Sequence, residues 1–335
     1  MKIQAHSPCR VDLAGGTLDI WPLYLFHENA VTMNVAVDRY TRVWIETRKD
    51  QEIHISSRDL GKQEIFSSLS ALIGCPKYHL PLVAWQLRYW RPTTGLNIET
   101  LSEAPAGAGI SGSSSLMITV ASAMNKLMGA RHPIEKIREI AQNIEAQIIR
   151  VPTGCQDYYP PMYGGVNAIE MGPGGIHRAG IAVDHAEFNQ RMVLAYTGEP
   201  RNSGINNWEV NKAHIDGVKR VRKNLNEIAA ISNGVRQALE GSHWAELAKL
   251  IRAEWKHRRT NAPGITTPLI DQLIKVTAKH GAQAAKVCGA GGGGCVFFLV
   301  EKGAKARVQQ AIAAARAEVL DVKIAPRGVQ VSAKA

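Results

Sequence analysis

The sequence has few cysteines, few aromatic residues and no long apolar run. Its five cysteines are scattered and form no C-x-x-C pair, which favours reduced thiols over a disulfide framework or a zinc site. No apolar stretch approaches the roughly 18–20 residues that span a bilayer. The first residues also lack the apolar segment of a secretory signal. We therefore expect a cytoplasmic protein with no membrane partner.

Acidic residues are in short supply as well. There are 29 of them against 40 lysines and arginines, which gives a formal net charge of +11. Such an excess is typical of proteins that bind nucleic acid, an anionic membrane face or phosphorylated small molecules. The charges are interspersed rather than blocked, and the sequence shows neither an RNA-binding aromatic motif nor a zinc finger. The pattern favours a phosphate-bearing metabolite over nucleic acid as partner.

Glycine, in contrast, is abundant, and one glycine- and serine-rich segment leads directly into an apolar helix. The segment is PAGAGISGSSS, residues 105–115, and the helical pattern after it ends near Gly129. Five small residues at the helix start, 111–115, bring backbone N–H groups and hydroxyls to the positive end of the helix dipole. This turn predicts an anion site where a nucleotide phosphate would bind.

The familiar phosphate-binding fingerprints do not fit this chain. G-x-G-x-x-G occurs at residues 107–112 and 289–294, but neither stretch has the strand, helix, second strand and acidic residue of a dinucleotide fold. A Walker loop and the H-R-D and D-F-G elements of protein kinases are missing. The segment KVCGAGGGGC, residues 286–295, runs straight into a strand. It therefore predicts a tight loop pressed against a ligand or against the first glycine turn.

Three carboxylates have positions suited to chemistry, and each also has a plain structural interpretation. Asp19 either caps its turn or accepts hydrogen bonds from substrate hydroxyls, with Gly15 and Gly16 letting a ligand approach the backbone. Glu145, at the edge of the buried face of a helix, either forms an ion pair or binds Mg²⁺. Asp157, in a loop after V-P-T-G-C-Q, is either a turn residue or a general base.

Hydrophobic periodicity predicts an α+β fold in which helices cover one face of an antiparallel sheet. We expect strands at 3–11, 41–47, 53–56 and 96–100. Helices are expected at 67–90 with proline interruptions, and at 134–150, 218–239 and 244–255. A further helix should begin with Thr267 as N-cap and Pro268 at its first position.

Three separated blocks resemble the signature motifs of the GHMP kinases, the superfamily of galactokinase, homoserine kinase, mevalonate kinase and phosphomevalonate kinase. The blocks are SPCRVDLAGGTLD (7–19), PAGAGISGSSS (105–115) and KVCGAGGGGC (286–295), which together span nearly the whole chain. The stretches QDYYPPMYGGVN and AYTGEPRNS are most similar to the sugar-1-kinases that act on D-glycero-D-manno-heptose 7-phosphate, with fucokinase domains as close relatives. The resemblance implies a ribosomal-protein-S5-like N-terminal domain over 1–185 and a ferredoxin-like C-terminal domain over 186–335, with the site between them.

The resemblance also implies ATP and Mg²⁺ as cofactors, and it gives roles to individual residues. Asp157 matches the family's catalytic aspartate, and Arg10 matches the basic residue that steadies it. Ser113 and Glu145 match the Mg²⁺ ligands. The residues implied to hold ATP are Pro105, Gly107, Gly109, Ser111, Gly112, Ser113, Ser114 and Ser115. The residues implied to contact the sugar or its phosphate are Gly15, Gly16, Thr17, Asp19, Arg201, Ser203, Gly291 and Gly292.

The chain departs from the family pattern at two places. Leu18 stands directly before Asp19, where the heptose kinases usually have a threonine before the aspartate. Ser111 and Gly112 stand where the order glycine then serine is usual. The second departure should matter little to a cradle made of backbone groups, whereas the first bears on the choice of sugar.

From this resemblance we expect phosphorylation of the anomeric hydroxyl of a sugar phosphate, with D-glycero-D-manno-heptose 7-phosphate giving the 1,7-bisphosphate. The alternatives are a GHMP kinase for another sugar, such as fucose or galactose, and a sensor that binds sugar and ATP without turnover. A third alternative is nucleic-acid binding through the basic surface. The sequence leaves the oligomeric state open, and a homodimer is compatible with it.

Overall fold

The computed structural model describes residues 1–199 and 203–334, and the side chains of all of these except residues 203–206. The strands are β1 (Lys2–Ala14), β2 (Val31–Thr47), β3 (Ile53–Ser57), β4 (Lys62–Phe66), β5 (Leu96–Ser102), β6 (Val166–Gly172), β7 (Gly175–Ile181), β8 (Met192–Tyr196), β9 (Ala282–Val287), β10 (Cys295–Val300), β11 (Glu318–Leu320) and β12 (Gln330–Lys334). The helices are α1 (Leu69–Gly74), α2 (Pro81–Trp90), α3 (Gly112–Leu127), α4 (Ile134–Ile149), α5 (Tyr159–Tyr163), α6 (His185–Arg191), α7 (Ser203–Ile215), α8 (Lys219–Glu240), α9 (Trp244–Arg258), α10 (Pro268–Ala278) and α11 (Lys305–Ala314). Short 3-10 helices occur at Leu23–Phe26 and Gln156–Tyr158.

The first sheet has the strand order β12-β1-β2-β5-β3-β4, and β6 joins it by pairing with β2 and with β7. Alternating residues of β2, such as Val43 and Ile45, pack against α2, α3 and α4 through Leu87, Val120 and Ile140. Helices therefore cover one face of this sheet, as predicted.

One strand pair corrects the expectation of a purely antiparallel sheet. β3 and β5 run parallel, with Ile55 opposite Ile98. The chain leaves β3 through the antiparallel hairpin to β4, then passes through α1 and α2 before it returns beside β3 in the same direction. Parallel neighbours need such a long crossover connection.

The second sheet has the order β11-β8-β10-β9, and all its strand pairs are antiparallel. Counted along the chain this is the order 4-1-3-2 of a ferredoxin-like domain, which confirms that expectation. Both faces of β10 are covered. Phe297 packs in a cluster with Val11 of β1, while Phe298 packs with Leu225 of α8 and Leu273 of α10. The two sheets therefore share a core, and β12 carries the chain back to pair with β1.

Helix starts follow the local sequence signals. The Thr267 hydroxyl accepts a hydrogen bond from the Ile270 N–H at 3.3 Å, and Pro268 occupies the first turn of α10, as predicted. α3 begins at Gly112, immediately after Ser111, whose φ of 59° places it in the left-handed region. Among the described residues, no helix is both long enough and apolar enough to cross a membrane.

Candidate active site

Two adjoining cavities lie around the start of α3 and the middle of β1. The larger has a volume of about 450 Å³ and the smaller about 120 Å³. Four residues line both of them, and we call this set the shared wall: Arg10, Leu82, Ser113 and Asp157. A ligand in one cavity would thus meet a ligand in the other at these side chains.

The larger cavity contains most of the residues expected to hold a nucleotide. They are Pro105, Gly107, Gly109, Ser111, Gly112 and Ser113. Ser114 lies instead on the smaller cavity, next to Ser113. The start of α3 thus faces both cavities, where its free N–H groups and dipole favour an anion.

The second glycine-rich segment, residues 286–295, packs against this turn. The Cys295 N–H donates to the Ala108 carbonyl at 2.7 Å, and a Cβ on Gly294 would stand 2.7 Å from the same oxygen. Gly294 also has a φ of 75°, which side chains other than glycine rarely adopt. Of the two predicted positions for this loop, the structure confirms the one against the first glycine turn.

Arg10 and Asp157 form a partly buried ion pair in the shared wall. Arg10 Nε and NH2 both donate to Asp157 Oδ1, at 2.9 and 2.5 Å, and NH1 donates to the Gly109 carbonyl at 2.7 Å. Burial alone would lower the pKa of Arg10, but the carboxylates of Asp157 and Asp12 raise it. Arg10 is only 2% exposed, whereas the Asp157 side chain is 26% exposed. Asp157 is therefore fixed through one oxygen and open to the cavities.

Glu145 accepts hydrogen bonds from two hydroxyls. The Ser113 hydroxyl donates to Oε1 and the Tyr158 hydroxyl to Oε2, each at 2.6 Å. Burial raises the pKa of Glu145, and these bonds oppose that effect only in part. No lysine or arginine of the described residues forms an ion pair with Glu145, so the structural alternative of an ion pair is not what this part of the chain shows.

A divalent cation suits this pair of oxygen ligands. Mg²⁺ prefers carboxylate and hydroxyl oxygens together with substrate phosphates, and Ser113 and Glu145 lie together beside the phosphate turn. Within the described residues, the buried Glu145 has hydroxyl partners but no cationic side chain beside it. The donor set therefore fits Mg²⁺.

Asp19 makes a structural contact and also borders a cavity. Its Oδ2 accepts the Gln156 N–H at 3.0 Å, which caps the 3-10 helix that carries Asp157. It also lines the smaller cavity together with Thr17. Burial and the neighbouring Asp157 carboxylate raise the pKa of Asp19 to about 6. A Cβ on Gly154 would overlap the Asp19 carboxylate, which explains the glycine at that position.

Ser115 differs from its prediction as a phosphate-binding residue. Its hydroxyl bonds to Ser7 Oγ at 2.9 Å and to Thr41 Oγ1 at 2.8 Å, in a buried network that also includes Thr119. The Ser115 N–H donates to the Ser111 carbonyl. Both polar groups of Ser115 are thus engaged away from the cavities, because its position on α3 faces β1 and β2.

Several predicted sugar contacts also lie elsewhere. Gly291 and Gly292 pack against the backbone of Ile265, and it is Gly289 and Ala290 that reach the smaller cavity. Gly15 and Gly16 shape the turn that carries Thr17 and Asp19, but they line neither cavity. Arg201 lies outside the described residues, and for Ser203 only the backbone, at the start of α7, is described.

Among the polar residues that sequence reasoning missed, two line the smaller cavity and a third contacts a residue that lines it. Asn207 on α7 and Arg258 at the end of α9 both line it, and Tyr158 bonds to Glu145. A signal existed only for Tyr158, which directly follows the predicted Asp157. Asn207 and Arg258 come from distant elements with no motif to single them out.

A cluster of four charged side chains, which we call the buried quartet, lies behind the site. It consists of Asp12, Glu254, Arg258 and Lys286. Lys286 Nζ donates to Asp12 Oδ2 and Glu254 Oε1, both at 3.0 Å. Burial alone would raise the pKa of Asp12, but Lys286 and Arg258 lower it below its ordinary value. The quartet joins β1 of the first sheet to α9 and β9.

The two cavities and the glycine turn between them are the arrangement expected of a kinase for small molecules, in which a hydroxyl and a phosphate would meet at the shared wall. Comparison with known proteins agrees. The GHMP kinases N terminal domain matches residues 78–165, and the GHMP kinases C terminal domain matches residues 235–318. The chain belongs to the GHMP kinase family.

Individual relatives are similar over nearly the full chain but at low identity. D-glycero-alpha-D-manno-heptose 7-phosphate kinase of Campylobacter jejuni is 24% identical over 98% of both chains. L-fucokinase/L-fucose-1-P guanylyltransferase of Bacteroides fragilis is also 24% identical, over 98% of this chain and 38% of the relative. The crystal structure of a D-glycero-D-manno-heptose 1-phosphate kinase from Bacteroides thetaiotaomicron has a TM-score of 0.79, with 20% identity and 99% of both chains covered.

Proposed function

We propose that this chain transfers the γ-phosphoryl group of ATP, with Mg²⁺, to the anomeric hydroxyl of a sugar phosphate in the cytoplasm. D-glycero-D-manno-heptose 7-phosphate is the first candidate, with the 1,7-bisphosphate as product. The observation that carries the proposal is the shared wall, where Asp157 and Arg10 border both cavities. The heptose kinase from Campylobacter jejuni, similar over nearly the full chain, supports the choice of substrate.

Asp157 is suited to accept the proton of the attacking hydroxyl. Arg10 holds its Oδ1 with two hydrogen bonds, and within the described residues Oδ2 has no partner. Oδ2 can therefore point a lone pair at a sugar hydroxyl. A general base of this kind contributes ~10²–10⁴-fold to the rate. Arg10 also provides a fixed positive charge beside the reacting phosphoryl group.

The start of α3 and the pair Ser113 and Glu145 have separate functions in this proposal. Backbone N–H groups of the glycine turn bind the phosphates, and Ser113 and Glu145 hold the metal. When bound, Mg²⁺ neutralises the negative charge that develops on the phosphate oxygens. The protein supplies position and charge, because phosphoryl transfer asks little covalent chemistry of it.

Asp19 is the proposed acceptor of sugar hydroxyl hydrogens in the smaller cavity. Arg201 and Ser203 remain proposed contacts to a substrate phosphate, on the basis of the sequence resemblance alone. A second candidate function is phosphorylation of fucose, favoured by the similarity to the Bacteroides fragilis fucokinase over 98% of this chain.

The test is an assay that couples ADP release to a readout, with ATP, Mg²⁺ and a panel of sugars and sugar phosphates. We expect the heptose 7-phosphate to give the highest kcat/KM. Turnover of fucose alone would favour the second candidate. Tight binding of sugar and ATP without ADP release would identify a sensor.

The general base is tested with Asp157→Asn on the best substrate of that panel. We expect kcat to fall by ~10²–10⁴-fold, because the amide cannot accept the hydroxyl proton. The exposed Asp184→Asn, at the N-cap of α6, is the control and should leave kcat unchanged. Full turnover by Asp157→Asn would contradict the assignment.

A further inference from the structure

Helix α7 brings a polar side chain from the second half of the chain to the smaller cavity. Asn207 lines this cavity, and its Oδ1 accepts a hydrogen bond from the Thr17 hydroxyl at 3.3 Å. Thr17 is buried and has a φ of 78°, in the left-handed region where a β-branched residue is rare. A residue held in such a conformation at a cavity is a sign of functional constraint.

The bond to Thr17 fixes which end of the Asn207 amide can meet a ligand. Since Oδ1 accepts from the hydroxyl, the Nδ2 group is the end left over. Nδ2 has no hydrogen-bond partner in the part of the chain that the structure describes, residues 1–199 and 203–334. The amide therefore offers two N–H donors at the cavity.

Asp19 provides the complementary group in the same cavity. Its carboxylate accepts from Gln156 and still borders the cavity, so it can accept further hydrogen bonds. Arg258 adds a second cavity-lining donor group, held by Glu254 and by the Gly289 carbonyl. The cavity thus has an acceptor on the side of β1 and donors on the side of α7 and α9.

A hydroxyl group both donates and accepts, so this arrangement matches a polyol better than a plain anion. We propose that Asn207 is a specificity-determining residue, which reads one hydroxyl of a cyclic sugar by donating from Nδ2 while Asp19 accepts from a neighbouring hydroxyl. The inference deepens the proposed function and rests on it. It assigns part of the selection among sugar hydroxyls to α7, where the sequence resemblance implied only a contact from Ser203 to a substrate phosphate.

The experiment compares the parent protein with Asn207→Ala on its best acceptor and on deoxy and epimeric forms of that sugar. We expect Asn207→Ala to lower kcat/KM for the best acceptor by ~10-fold, through KM, as for one lost hydrogen bond. For the deoxy sugar that lacks the hydroxyl read by Asn207, the two proteins should have equal kcat/KM. The KM for ATP should not change.

A binding measurement separates recognition from turnover. Calorimetric titration of the sugar without ATP or Mg²⁺ should show the same ~10-fold loss of affinity in Asn207→Ala. Glu209→Ala, exposed on the same helix, is the matched control and should behave as the parent. Thr17→Val keeps the shape of Thr17 but frees the amide to turn, so it should lose part of the discrimination, and Thr17→Ser should restore it.

Two outcomes would overturn the inference, and they are distinguishable. If the parent phosphorylates a sugar and Asn207→Ala keeps the same preference among deoxy and epimeric forms, Asn207 does not read a hydroxyl and the kinase proposal stands. If the parent phosphorylates only an acceptor that is not a sugar, both the proposed function and the inference are wrong.

Discussion

At the scale of single residues, Asp19 shows how burial sets the conditions under which a group acts. The carboxylate caps the 3-10 helix that carries Asp157, and it also borders the smaller cavity. Burial and the charge of Asp157 raise its pKa to about 6. Near neutral pH it is ionised and can accept hydroxyl hydrogens, but moderate acid protonates it.

We expect the affinity for the sugar to rise as the pH increases through about 6, because only the ionised Asp19 has its full capacity to accept hydrogen bonds. Asp19→Asn keeps the shape but cannot titrate, so its affinity should be weaker and free of this step. The measurement is the dissociation constant of the sugar from about pH 4.5 to about pH 8. If the dissociation constants of parent and variant changed with pH in parallel, a group other than Asp19 would be the one that titrates.

The free energy of unfolding should change with pH in the direction opposite to the sugar affinity. Folded Asp19 keeps its proton between the ordinary pKa of 3.8 and about 6, where the unfolded chain has lost it. The free energy of unfolding of the parent should therefore fall relative to Asp19→Asn as the pH rises through this window. The two measurements together separate a change in sugar binding from a change in folding.

At the scale of elements, serines that look equivalent in the sequence have different roles according to their position on α3. Ser113 and Ser115 are two positions apart, which is about 200° around a helix. Ser113 bonds to Glu145 at the cavities, and Ser115 bonds to Ser7 and Thr41 on the sheet side. One short run thus serves both the site and the core.

We expect Ser115→Ala to lower the free energy of unfolding by about 1–3 kcal/mol, because it leaves buried hydroxyls with fewer partners. The KM for ATP of the folded variant should not change. Ser113→Ala should raise the Mg²⁺ concentration needed for half-maximal activity, since it removes a proposed ligand. Urea unfolding and Mg²⁺ titration of both variants provide the check. If Ser115→Ala raised the KM for ATP and left the free energy of unfolding unchanged, Ser115 would be a phosphate-binding residue after all.

The sequence predicted those elements whose signals are local. Apolar periodicity and caps indicated α3, α4 and α10, and alternation indicated the C-terminal part of β2. The parallel pairing of β3 with β5 could not be predicted, because it depends on where a long crossover returns. α7 also lacks a clear apolar stripe, so no pattern in the sequence predicted this helix.

For the site, motifs predicted the three polar residues of the shared wall but not Leu82 or the surroundings. Arg10, Ser113 and Asp157 stand in recognisable stretches, and the structure brings them together. The side-chain direction of Ser115 follows from helix geometry once the first helical residue is known, but its partners on β1 and β2 do not. Asn207 could not be predicted at all, since its meeting with Thr17 joins distant parts of the chain.

At the scale of the whole molecule, the buried quartet ties the two sheets together behind the site. Lys286 is fully buried between Asp12 of β1 and Glu254 of α9. Asp12 also accepts the N–H of Gly289, which lines the smaller cavity. The quartet therefore sets the position of the second half of the chain relative to Arg10, two residues before Asp12.

We expect Lys286→Met to lower the free energy of unfolding by about 3–5 kcal/mol, because it leaves two buried carboxylates with only Arg258 between them. The matched control is Lys249→Met, whose exposed pair with Glu246 on α9 should be worth only about 0–1 kcal/mol. Denaturant unfolding of both variants decides the question. Equal effects would show that the quartet adds no more than a surface pair.

The shared wall has a consequence for the handedness of the transferred group. Because Asp157 and Arg10 border both cavities, the sugar oxygen in the proposed reaction attacks phosphorus directly, opposite the departing ADP oxygen. A single displacement of this kind reverses the arrangement of the three remaining oxygens. A γ-phosphoryl group made chiral with oxygen isotopes should thus reach the sugar with inverted configuration, whereas passage through a phosphorylated Asp157 would restore the original one.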